Sequence, residues 1–206
     1  VRPLARLHAL TDASILQRPD LGARAAAIAA AGPCVALHAR DRTATARTLS
    51  DLTRRFSALA APPTASVVVS ARADIAAAWH TQGVQLGDDD LVPADARRVF
   101  VRGWIGRSVH SASEARRARD EGANYVVLGN IFETATHPGR PGLGIDALRM
   151  AVATGIPVIA VGGMTPARAH EACEAGAWGI AAISALWMSP DPYATARAML
   201  APWMDQ

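Results

Sequence analysis

No lysine occurs anywhere in this 206-residue chain; all 21 basic residues are arginine. A Schiff-base aldolase, a pyridoxal-phosphate enzyme and a Walker-A loop each require a primary amine, so all three are excluded. Cysteine is scarce: Cys34 and Cys173 lie too far apart for a metal-ligand spacing and read as buried thiols of a reducing cytosol. No apolar run approaches the roughly 20 residues of a membrane span. The opening residues, Val1 to Arg6, lack the apolar stretch of a signal peptide. A cytoplasmic location with no membrane partner is therefore expected. An excess of one charge is missing as well. The pI is near 9.5, yet the net charge is only +3. Arg116, Arg117 and Arg119 run straight into Asp120 and Glu121, which describes a solvated surface and not a nucleic-acid patch.

Half of the residues are apolar, enough to bury a full core in one domain spanning 1–206. Short apolar runs alternate with helix-period stretches from end to end. Candidate strands are 7–10, 35–39, 66–69, 83–86, 104–109, 125–128, 157–161 and 179–183. Candidate helices are 20–31, 44–60, 72–80, 93–99, 111–121, 144–154, 165–175 and 190–203. Eight βα units with fully apolar strands predict a parallel sheet covered by helices, closed as a (β/α)8 barrel; an open doubly wound sheet is the alternative. The longest stretch without a periodic pattern is 130–144, long enough to expect a functional loop.

In such a barrel the chemistry sits where strands end and helices begin. The last two units are the most informative. Val158 to Val161 is followed by Gly162-Gly163 and by Thr165-Pro166, an N-cap with proline at the first helical position. Gly179 to Ile183 is followed by Ser184-Ala185. Glycines admit close backbone approach and helix starts favour anions, so adjacent loops of this kind predict a phosphate site. The second strand runs into His38, Arg40 and Arg42, one imidazole and two guanidiniums on a shared face by period-2 alternation. Arg72 and Asp74 after the third strand read as a structural ion pair. Asp88, Asp89 and Asp90 after the fourth fit either a metal or a cap for the next helix. Ser108 in the fifth is expected to point inward, and Ser111 with Glu114 forms a capping box.

These stretches together resemble the thiamine phosphate synthase superfamily over nearly the whole chain. Leu10-Thr-Asp12, His38-Ala-Arg-Asp-Arg42, Gly83-Val-Gln-Leu86, Gly106-Arg-Ser-Val-His-Ser111, Gly129-Asn-Ile-Phe-Glu-Thr134, Ile156 to Pro166 and Ala182-Ile-Ser-Ala185 carry the resemblance in order. A synthase of this kind joins a pyrimidine diphosphate to a thiazole phosphate with Mg²⁺. The resemblance sets His38, Arg40 and Arg42 where the synthase has Gln, Arg and Lys. It sets Ser70 and Ala71 where the synthase has Asn and a metal-binding Asp, Asp90 at the second metal Asp, and His137 in place of a lysine after Thr134 and Thr136. Gly162, Gly163, Ile183 and Ser184 match the thiazole-phosphate contacts.

With the phosphate half matched and the metal half altered, the chain is expected to sit closest to the TenI branch, the thiazole tautomerases. The activity so implied is a proton shift that aromatises a carboxythiazole phosphate, with no cofactor and no metal. His38 is then the expected acid/base, with His137 as the substitute and Asn130 where that branch can carry a histidine. Arg40 or Arg42 would face the substrate carboxylate. Asn130, Thr134 and Thr136 would orient the ring, and Ser108 would line the site. A homodimer is what the resemblance suggests. A divergent synthase, a non-catalytic thiazole-phosphate-binding barrel and a phosphate-barrel isomerase of tryptophan synthesis remain as alternatives.

Overall fold

The computed structural model describes residues 2–41, 43–60, 65–134 and 141–204. Eight parallel strands close on themselves in chain order: β1 (Leu7–Leu10), β2 (Val35–Ala39), β3 (Ser66–Ser70), β4 (Gly83–Leu86), β5 (Trp104–Val109), β6 (Tyr125–Gly129), β7 (Val158–Val161) and β8 (Gly179–Ala182). Closure comes from β8 pairing β1, with Ile180 opposite Leu7. Around them run α1 (Ala13–Leu16), α2 (Leu21–Ala29), α3 (Ala46–Leu59), α4 (Ala73–Ala78), α5 (Pro93–Val99), α6 (Ala112–Asp120), α7 (Gly144–Val152), α8 (Pro166–Glu174), α9 (Ser184–Trp187) and α10 (Pro192–Leu200), with a 3₁₀ turn at Ala201–Trp203. This is the (β/α)8 barrel that the alternation predicts. The additions are α1 and α9, four residues each, too short to leave a helical period in the sequence.

Two apolar layers hold it together. Outward-facing strand residues such as Leu37, Leu86 and Leu128 pack under the helices in one continuous core. Helix α3 contributes Leu49, Leu52, Thr53 and Phe56, a single stripe at i, i+3, i+4 and i+7. The Phe56 ring stacks on Trp187 with centroids 6.1 Å apart. Each fully buried side chain of this size contributes about 1.5–3 kcal/mol.

The inward-facing residues form a second, separate cluster containing Leu10, Ala36, Val68, Tyr125, Val127 and Ile159. Into it project polar groups, with His8, His38, Ser66 and Gln85 all buried. Gly106 makes room for them, because a Cβ there would collide with Gln85 Oε1 and the Tyr125 ring. The N-terminal segment closes the end of the barrel where the strands begin. Arg6 donates to the Trp178 carbonyl at 2.7 Å and lies 3.7 Å over the Trp178 ring, while Trp104 Nε1 donates to the Arg2 carbonyl at 3.0 Å. The open end is the one where the strands finish.

Candidate functional site

The β7 and β6 ends meet through glycine. Gly162 has φ +104° and Gly163 φ +62°, a region that L side chains enter at a cost. Asn130 lies directly against Gly162, where a Cβ would overlap its side-chain oxygen. The Gly162 carbonyl accepts from the Phe132 N–H at 3.3 Å, and the Gly163 carbonyl from Arg168 at 2.6 Å. In a trans peptide the N–H points opposite to the carbonyl of the same plane. Both carbonyls are turned onto protein, so the N–H groups of Gly163 and Met164 face the other way. Thr165 caps α8, accepting from the Arg168 N–H at 3.3 Å. At the next strand end Ile183 precedes α9, whose first residues Ser184 and Ala185 have no partner within the helix for their N–H groups.

Across the barrel, Thr11 ties the β1 and β2 ends together. Its hydroxyl lies 3.0 Å from the His38 carbonyl and 2.7 Å from the Arg40 carbonyl, and Arg40 Nη1 donates to the Thr11 carbonyl at 2.9 Å. His38 and Arg40 therefore do not share an open face. Arg40 is partly buried at the rim, whereas His38 is fully enclosed in the barrel. His38 Nε2 lies 2.8 Å from His8 Nδ1, and its Nδ1 is buried with no hydrogen-bond partner. Burial first, then His8 and Arg40, hold the His38 pKa well below its ordinary value. The expectation of a histidine that titrates near neutrality at this position is corrected by that enclosure.

Ser108 does point inward, accepting from Gln85 Nε2 at 3.1 Å. Gln85 Oε1, Ser70 Oγ and Tyr125 OH are buried without partners. Sequence reasoning assigns no role to His8, Thr11 or Tyr125. In a strand apolar on both faces one polar residue is the sole cue, and it says nothing of direction until the barrel closes. Asn130 and Thr134 sit at the start of the loop after β6. Arg42, Thr136 and His137 lie outside the described residues.

The region matching the metal end departs from what Mg²⁺ needs. Ala71, at φ 66°, supplies no side-chain oxygen. Arg72 and Asp74 are paired with each other, as expected. Asp90 accepts from the Gly87 N–H at 2.6 Å and so closes its own loop; it does not cap α5, whose N-cap position is Val92, without a side-chain cap. Asp88 faces His110 Nε2 at 3.8 Å, and His110 Nδ1 donates to the Gly129 carbonyl at 2.7 Å. Ser111 caps α6 as expected, but Glu114 reaches the N–H of His110, one residue before the cap. Among the described residues no three His, Cys, Asp or Glu side chains are grouped to hold a metal. The described residues do not fit a Mg²⁺ site. Cys34 and Cys173 form no disulfide and are half-buried, and among the described residues no helix is long and apolar enough to cross a membrane.

Comparison with known proteins agrees with this geometry at the level of the family. The family described as thiamine monophosphate synthase matches residues 7–186. The thiamine-phosphate synthase of Thermus thermophilus is 38% identical over 175 residues, 84% of each chain. That of Chloroflexus aurantiacus is 36% identical over 204 residues, covering 95% of this chain and 91% of its own. The solved thiamine phosphate pyrophosphorylase of Pyrococcus furiosus superposes with a TM-score of 0.74 at 28% identity, covering 97% and 96% of the two chains. These relatives carry the synthase name, not the TenI name, and that corrects the expected placement closest to the TenI branch. The tautomerase expectation loses its ground with it, since it rested on that placement and on a titrating His38.

Proposed function

We propose that this chain, which belongs to the thiamine monophosphate synthase family, is a synthase-type enzyme of thiamine biosynthesis that joins a pyrimidine unit to a thiazole phosphate at the open end of its barrel. One observation carries the reading: identity of 36–38% to thiamine-phosphate synthases across most of the chain. The turn at Gly162 and Gly163 supports it. Those glycines leave the backbone bare where the thiazole phosphate is to lie, and the carbonyl-inward peptide planes suit an anion. In the reaction the thiazole ring nitrogen bonds to the methylene carbon of the pyrimidine unit as that carbon's bond to diphosphate oxygen breaks, and diphosphate leaves as an anion. Arg40 places positive charge at the rim beside that event, held by Thr11. No step is assigned to a metal.

The test is a purified-protein assay with hydroxymethylpyrimidine diphosphate and thiazole phosphate, following thiamine phosphate and diphosphate together. Stoichiometric appearance of both supports the proposal. A second reading is favoured by Ala71: a barrel that binds thiazole phosphate without joining it. Saturable thiazole-phosphate binding with neither product formed decides for that second reading.

A further inference from the structure

The buried histidine pair has a proton arrangement fixed by its neighbours. His8 Nε2 lies 3.2 Å from the Ala5 carbonyl, which can only accept, so this nitrogen carries the proton. A neutral His8 then has a bare Nδ1. That nitrogen lies 2.8 Å from His38 Nε2, so His38 must donate there and carry its own proton on Nε2. His38 Nδ1 is consequently a bare acceptor. Each link leans on the one before it. The chain starts at Ala5, before β1, passes through His8 in β1, and ends at His38, one residue short of the end of β2. It runs from the closed end of the barrel toward the open one.

We infer that His8 is a positioning residue: by way of the Ala5 carbonyl it fixes His38 as the Nε2–H tautomer and so leaves Nδ1 inside the barrel as a bare hydrogen-bond acceptor. A buried acceptor without a partner costs about 1–3 kcal/mol, which is recovered only by a donor. In the protein that lone pair has none, and Gln85 Oε1 is a second acceptor without a partner inside the same barrel. The Ser70 and Tyr125 hydroxyls, also without partners, can donate or accept, so these two acceptor-only atoms are the ones that favour a ring carrying N–H or O–H groups. Charging His8 would break the order, since its protonated Nδ1 could no longer accept from His38, and charging His38 would fill the bare Nδ1. The groups facing the pair are Tyr125, whose ring centroid is 5.4 Å from that of His8, and Arg40, whose charge disfavours protonation of His38. Neither supplies a negative charge that would stabilise an imidazolium. Burial pushes His8 down to about 4.

The selection of a donor-bearing ring rests on the synthase reading above; the tautomer does not, and the two are tested apart. Long-range ¹H–¹⁵N spectra of the ¹⁵N-labelled full chain report which ring nitrogen of each histidine is protonated. Both His8 and His38 are expected as Nε2–H tautomers, unchanged between pH 8 and pH 6. His8→Phe removes the acceptor and should leave His38 as a mixture of tautomers. His8→Gln, whose amide can donate to Ala5 and accept from His38, should restore the single tautomer. In the coupled assay, His8→Phe should raise KM for the pyrimidine diphosphate about tenfold, the value of one buried hydrogen bond, with His8→Gln recovering most of it. A wild-type His38 protonated on Nδ1 overturns the inference, as does a folded His8→Phe variant with His38 unchanged. Should His8→Phe fail to fold, the wild-type and His8→Gln spectra decide: both must show the Nε2–H form. Correct tautomers in a protein that makes no thiamine phosphate leave the relay standing and sink the synthase reading instead.

Discussion

Arg168 donates to the Gly163 carbonyl at 2.6 Å while its guanidinium lies 4.6 Å from the centre of the Phe132 ring. One side chain of α8 thus fixes a peptide plane in the β7 turn and braces the loop that follows β6. The turn is held in shape by the protein itself, so an anion arriving there would meet amides already oriented and would lose little free energy in ordering them.

A Cβ on Gly163 would come within 2.6 Å of the Glu133 carbonyl and 2.8 Å of Arg168, at a φ that side chains rarely adopt. Inorganic phosphate should raise the melting temperature of the wild-type protein and should not raise that of Gly163→Val. Arg168→Ala, which leaves the glycine in place but frees its carbonyl, should weaken phosphate several-fold, of the order of one charge-assisted hydrogen bond. Equal protection of all three proteins by phosphate would show that the anion binds elsewhere.

Stability should fall on mild acidification. His8 is held down from 6.5 to about 4 by burial, and His38 is lowered in the same direction. Well above pH 6.5 both rings are neutral, folded or unfolded, and this contribution is complete. Below it the unfolded chain takes up protons that the folded chain refuses, so stability is lost progressively as pH falls toward 4. For His8 alone the loss is on the order of 3 kcal/mol. Urea titrations at pH 7.5 and pH 4.5 measure it, and His8→Phe should show a shallower dependence. A flat profile across that interval would mean that the rings are hydrated.

Gly106→Ala should destabilise although it adds one methyl to a strand. That methyl meets Gln85 Oε1 and the Tyr125 ring, neither of which can retreat within the barrel. Overpacking of this kind costs about 1–3 kcal/mol. Chemical denaturation gives the value directly, and a variant as stable as the wild type would indicate a looser interior.

The elements themselves are legible in the amino-acid pattern. Residues 7–10, 35–39, 83–86 and 104–109 are strands at those limits because apolar runs of four to six residues between turn signals leave little freedom in placing the ends. The interior is not legible in the same way. When a strand is apolar on both faces, period-2 alternation does not tell inside from outside, so the pairing of His8 with His38 becomes visible only once β1 and β2 are in register. His38 stands out in the sequence, but its exposure does not follow: a position near a strand end suggests the rim, whereas Thr11 folds over the β2 end and leaves the ring below. Asp90 misleads in another way. Its sequence context suits a helix cap or a metal equally, and the Gly87 N–H three residues back engages it instead.

Ala71 carries the last prediction. It already sits at φ 66°, so the backbone there tolerates αL, a region aspartate enters more readily than most side chains. Ala71→Asp should therefore fold and would put a carboxylate on the same end of the barrel as Asp88 and Asp90. Calorimetric titration should show no saturable Mg²⁺ binding by the wild type and a gain of at least about tenfold in affinity for the variant, since hard oxygen ligands and their charge set the strength of such sites. Thiamine phosphate formation by the wild type should correspondingly be insensitive to EDTA. Tight Mg²⁺ binding by the unaltered protein, or activity abolished by the chelator, would show that Asp88 to Asp90 rearrange around the ion and that the missing ligand at position 71 is replaced from elsewhere.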